Sequence, residues 1–189
     1  AILTERSANC VDYANTYFAN VTDVFRNLDF LSDVTVADVG SFCSFAVDGI
    51  PNHDFNDTGT AFANDPAEVQ RTFNVARTPS LAGSSTSLSQ SRFDGLMLNG
   101  VVIDMLSAGC YSPNDPMADA DGNTAIGCMS TDPWLLDPLG TDHKFGADSH
   151  NAHTQPDGTY HYHGSPNAMF NDSPSASGSP VIGFSADSY

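Results

Sequence analysis

Positive charge is scarce in this sequence: 6 Lys and Arg stand against 23 Asp and Glu, a formal net charge of −17. Arg6, Arg26, Arg71, Arg77, Arg92 and Lys144 form no cluster. Phosphate backbones are neutralised by grouped Lys and Arg, so nucleic acid is excluded as a partner. An anionic membrane surface is disfavoured on the same ground, and no apolar run approaches the ~18 residues of a membrane span. A secretory leader is not visible: Ala1-Ile2-Leu3-Thr4-Glu5-Arg6 lacks a basic start and a long apolar centre, so an exported chain is expected here in its mature form. Several enzyme signatures are missing as well. Gly83-Ser84-Ser85 lacks the frame of a serine nucleophile, no phosphate-binding glycine loop occurs, and no CxxC pair suggests a zinc ribbon or redox motif.

What is present describes a folded chain. Hydrophobic residues make up 40% and charged residues 15% of 189, enough for one domain with a real core. The four cysteines, Cys10, Cys43, Cys110 and Cys128, allow three pairings. Short loops cost least to close, which favours Cys10–Cys43 with Cys110–Cys128. Two disulfides imply an oxidising compartment, so the expected location is secreted, extracellular or at the cell surface.

The expected fold is mainly β: a sandwich-like domain with many turns and one N-terminal amphipathic helix. Val11, Ala14, Phe18, Val21, Phe25 and Leu28 recur at the three-four spacing of a helix face. Beyond Asp33, short apolar runs alternate with Gly, Pro, Asn and Ser, which reads as strands and turns. Leu96-Met97-Leu98 and Val101-Val102-Ile103 flank Asn99-Gly100, a hairpin signal in which both turn residues tolerate positive φ. Asp115, Asp119 and Asp121 precede Gly122-Asn123 like a calcium loop, although Thr124 and Ser130 break the EF-hand pattern.

Five of the six histidines fall in one stretch, at His143, His150, His153, His161 and His163. Pro156-Asp157-Gly158 reads as a tight turn, with a strand after it. Alternation on that strand puts His161 and His163 on one face, about 6.5–7 Å apart, and Tyr160 and Tyr162 on the other. His153, returning across the turn, can supply a third nitrogen. Three neutral imidazoles suit zinc or copper and leave an open position for water or substrate.

The run Tyr160-His161-Tyr162-His163-Gly164, preceded by Asn151-Ala152-His153-Thr154-Gln155-Pro156-Asp157-Gly158, resembles the signature of the YHYH protein family. Asp48-Gly49-Ile50-Pro51-Asn52-His53, Leu98-Asn99-Gly100-Val101 and Pro180-Val181-Ile182-Gly183-Phe184-Ser185-Ala186-Asp187 resemble further elements of the same family. The likeness implies an exported protein of the kind found in aquatic bacteria, with no settled activity and a motif often read as a metal site. It carries His153, His161 and His163 over as ligands, with His53 from the upstream element. His150, Asp148, Asp119 and Asp121 are further candidates. The likeness covers roughly residues 45–189, an expected YHYH domain that looks shortened at its C-terminal end. Residues 1–44 form a separate N-terminal segment, helix plus strand, packing on the domain or on a partner.

Three functions fit these features. One is an extracellular protein binding copper or zinc at the histidine cluster, with calcium at the Asp-rich loop. Another is a self-assembling subunit of a surface layer or filament. A third is a metal-dependent hydrolase, or a Tyr/His lyase, acting on a secreted polymer.

Overall fold

The computed structural model describes residues 5–59, 61–129, 131–132, 134–140, 146–170 and 178–189; His143 lies outside them. The helix expected over residues 11–28 does not form. After one 3-10 turn at Cys10–Tyr13, strands β1 (Asn15–Asp23) and β2 (Leu28–Asp38) make an antiparallel hairpin. A rival period explains the correction. Tyr17, Ala19, Val21 and Asp23 are the covered positions of β1, whereas Phe18, on the supposed helix face, is 71% exposed. Asn, Thr and Val weaken a helix, and Thr, Tyr and Val suit a pleated surface, so alternation by two prevails over spacing by three and four.

Strands β3 (Phe42–Val47) and β4 (Arg71–Ala76) extend this hairpin into a four-stranded antiparallel sheet of order β1-β2-β3-β4. β3 runs across residue 44, and a disulfide between Cys10 and Cys43 ties the 3-10 turn to it.

Strands β5 (Gly95–Met97) and β6 (Val102–Ile103) are the hairpin expected around Asn99-Gly100. Its loop differs in detail. Gly100 N donates to Met97 O at 2.9 Å, Met97 N donates to Val101 O at 2.8 Å, and Gly100 alone of the loop takes positive φ, 84°. This is a three-residue loop closed by a left-handed glycine, not a two-residue turn. A Cβ at Gly100 would lie 2.6 Å from Val34 Cγ2, so the loop is pressed directly onto β2.

Strands β7 (Cys110–Tyr111) and β8 (Asn123–Thr124) form a small ladder beside the Cys110–Cys128 disulfide. Then β9 (Ala152–Thr154), β10 (Tyr160–Tyr162) and β11 (Gly183–Ser185) complete a five-stranded sheet of order β11-β5-β6-β10-β9. Only β6 and β10 run parallel in it. Both large sheets contribute to one core: Phe45 of β3 meets Phe184 of β11 edge-on, with centroids 6.1 Å apart. Among the described residues, no helix is long and apolar enough to cross a membrane.

Candidate metal centre

The β9–β10 hairpin builds the site. Its loop, Pro156-Asp157-Gly158, repeats the solution seen at Gly100: Gly158 N donates to Gln155 O at 2.9 Å, Gln155 N to Thr159 O at 3.0 Å, and Gly158 takes φ of 88°. Asp157 Oδ1 accepts from Thr159 N at 3.0 Å and fixes the exit from the turn. The loop sets a register that places His161 directly opposite His153. Because side chains alternate along β10, His163 then falls on the same face as His161.

A side chain at Gly158 would break this register. Its Cβ would approach Ala67 Cβ to 2.6 Å, and its φ is one that L-residues avoid. Gly158→Ala is therefore expected to destabilise the fold by about 2–4 kcal/mol in urea titration, combining strain with overpacking. An unchanged unfolding midpoint would show that the loop relaxes without consequence.

The three imidazoles converge. His163 Nε2 lies 3.1 Å from His161 Nε2 and 3.0 Å from His153 Nε2. A tetrahedral ion bound at 2.0–2.1 Å holds its nitrogens about 3.3 Å apart, close to this spacing. The outer nitrogens decide the tautomers. His161 Nδ1 meets Thr159 O at 3.3 Å, and His163 Nδ1 meets Asp104 O at 2.5 Å. A carbonyl only accepts, so both Nδ1 atoms carry the proton and both Nε2 atoms present a lone pair. Two lone pairs facing at 3.1 Å repel unless a cation or a donor hydrogen bridges them, and His153 Nε2 stands 3.0 Å from that of His163. Carbonyls in this role also orient metal-bound histidines and raise their basicity.

Electrostatics disfavour a proton on either ring. Burial, then the neighbouring His153 and His163, lowers His161 to about 3; burial and His153 lower His163 to about 4. Both rings are neutral above pH 5, the form that binds metal. Ring resonances of His161 and His163 in the metal-free protein should therefore hold still from pH 8 to pH 5, where an exposed histidine titrates near 6.5. Movement with a midpoint above 6 would contradict the burial argument. The linkage sign follows: the unfolded chain takes up protons below 6.5 and these rings do not, so their share of stability is full above 6.5 and lost as pH falls through about 4 for His163 and about 3 for His161. Asp48 and Asp104, raised to about 6 by burial, act in the opposite direction between pH 6 and 3.8.

The opposite face of β10 is a strut. Tyr160 and Tyr162 are fully buried. Tyr160 donates its hydroxyl to Asp148 Oδ2 at 2.8 Å. The tyrosine at 162 sits in a donor chain whose direction is set from its end. His53 Nδ1–H donates to Asp54 O at 2.6 Å, so His53 Nε2 accepts from the Tyr162 hydroxyl at 2.7 Å, which accepts from Asn99 Nδ2 at 2.9 Å. Thus His53 lies across the sheet from the three-histidine cluster. His150 packs against it with the rings tilted by 48° and centroids 4.2 Å apart, and its Nε2 lies 3.4 Å from Asp57 Oδ2. Asp148 Oδ1 accepts from His150 N and Ala152 N, so its carboxylate braces the β9 approach.

The Asp-rich loop stands apart. Asp119 Oδ1 accepts from Asp121 N at 3.0 Å and Asn123 N at 2.8 Å, and Asp115 Oδ1 accepts from Met117 N. These carboxylates cap turns between β7 and β8. Cys110, Cys128 and Asp132 also approach one another, but both sulfurs are joined in a disulfide, leaving no thiolate for an ion.

A cavity of about 680 Å³ opens onto the three histidines, with walls from the segments around Ser89–Ser91, Leu106–Ala108 and Ile126–Met129. Neither these walls nor the orienting carbonyls of Thr159 and Asp104 were legible in the sequence. A carbonyl leaves no residue-type signature, and the walls come from loops remote in sequence.

Comparison with known proteins agrees with the motif. No curated protein and no solved structure matches the chain. Residues 72–189 match the YHYH protein family, over a span that includes β9, β10 and all three converging histidines. This chain belongs to the YHYH protein family.

Proposed function

We propose that the chain is an extracellular metal-binding protein holding one zinc or copper ion on His153, His161 and His163, with an open coordination position towards the cavity. One observation carries this reading: His161 and His163 point unprotonated Nε2 atoms at each other across 3.1 Å. Buried lone pairs in opposition cost free energy unless something joins them, and one cation would satisfy all three imidazoles at once. The donor set fits the group. Three imidazoles and a free position are the ligand pattern of catalytic zinc, where a bound water becomes a nucleophile near neutral pH. His53 stays outside the proposed set, as both of its nitrogens have partners. Two disulfides support the oxidising compartment.

Untagged protein should take up close to one equivalent of zinc or copper on equilibrium dialysis, read by elemental analysis. Uptake below about one fifth of an equivalent at micromolar free metal overturns the proposal. The cavity beside the open position favours hydrolysis by metal-bound water as a second reading. Its test is turnover of ester and amide substrates that depends on added zinc and disappears on chelation.

A further inference from the structure

The cavity beside the histidines carries a chemical signature of its own. Its volume, about 680 Å³, is that of a pocket for a small organic molecule. Among the described residues that line it there is no Lys, no Arg and no Phe, Tyr or Trp. Among the same described residues Asp104 is the only carboxylate, and that group is buried and accepts from Leu106 N at 3.1 Å. The remaining walls are apolar, as at Leu106, Ile126, Met129 and Pro138, or neutral amides and hydroxyls, as at Asn64 and Gln90.

Each common ligand class can be weighed against those walls. Polyanions need several cations, and the described lining residues of this chain of net charge −17 include none. Carbohydrates favour Trp, Tyr or Phe platforms, and none is among the described lining residues. A metal ion on three neutral imidazoles keeps its full positive charge, so one positive centre sits at the end of a largely apolar chamber whose one described carboxylate, Asp104, is buried in the wall. The matching molecule has one anionic head and an apolar body.

We infer that the cavity binds a monoanionic amphipathic small molecule, of the class of a medium-chain or aryl carboxylate. Its head completes the coordination of the metal, and its body lies against Leu106, Ile126 and Met129. This rests on the metal-site reading above.

Cobalt(II) serves as the probe, because its visible absorption reports both occupancy and any change of the fourth ligand. Full-length protein is loaded with cobalt and titrated with acetate, octanoate and the dianion suberate. Octanoate should perturb the spectrum at concentrations at least about 30-fold below acetate, since each buried methylene adds to affinity. Suberate should fall at least about 10-fold behind octanoate, having a second charge with no partner. Ile126 is 61% exposed at the rim, so Ile126→Asp leaves the fold intact. That variant should weaken octanoate about 10-fold and leave acetate unchanged. Equal midpoints for acetate and octanoate, suberate matching octanoate, or an indifferent Ile126→Asp overturn the inference while the cobalt spectrum upholds the metal site. Absence of any cobalt spectrum overturns the metal reading itself and this inference with it.

Discussion

His161→Ala is expected to lower zinc affinity by at least about 100-fold, more than the loss of an outer-shell partner, which is worth 10–100-fold. The residue is 3% exposed, faces His163 Nε2 at 3.1 Å and stands opposite His153 in the sheet, so removing it leaves two of the three proposed ligands. Metal that binds the folded state at 100 times its dissociation constant adds about 2.7 kcal/mol to stability. The zinc-induced rise in melting temperature should therefore vanish in the variant. His53→Ala is the control. It removes the acceptor of the buried Tyr162 hydroxyl, which should destabilise the fold by about 1–3 kcal/mol. Zinc stoichiometry should stay near one. A His161→Ala protein that still binds zinc like the parent would remove the basis of the proposed site, and so would loss of stoichiometry in His53→Ala alone.

Replacing Cys10 and Cys43 together by Ala should destabilise the fold by about 3–4 kcal/mol in urea, judged by the entropy of a loop of 33 residues. The bond secures more than its loop. Tyr13 is held against Phe184 of the second sheet, with centroids 6.2 Å apart, and the 3-10 turn that carries Tyr13 is tied to β3 through Cys10. Losing it frees the N-terminal end from the core. A change below about 1 kcal/mol would mean that packing alone fixes this end. In either case the three-histidine cluster lies on the far hairpin, so zinc uptake by the double variant should persist wherever it is folded.

The two hairpin loops explain how much of the site was readable in advance. Asn99-Gly100 and Asp157-Gly158 both announced turns, and both turns form. The loop at 158 then fixes the register, and register with alternation is enough to put His153, His161 and His163 on one face. The disulfide pairing followed from loop length in the same way. The helix over 11–28 failed because Phe18, Phe25 and Leu28 are exposed side chains of a hairpin. Apolar spacing by itself cannot tell a helix face from one strand, a turn and the next strand.

Composition, turn chemistry and short-range periodicity determined by themselves a mainly β, disulfide-bonded, acidic chain with three histidines on one face of a hairpin, because these properties depend on residues near one another in sequence. Tertiary structure alone decided that His53 would brace Tyr162 across the sheet, 109 residues away. It also decided that the Asp104 carbonyl would set the tautomer of His163, and that loops from three distant segments would enclose the cavity. The physical reason is that side-chain type encodes local preference, whereas backbone acceptors and cavity walls exist only once separate segments pack.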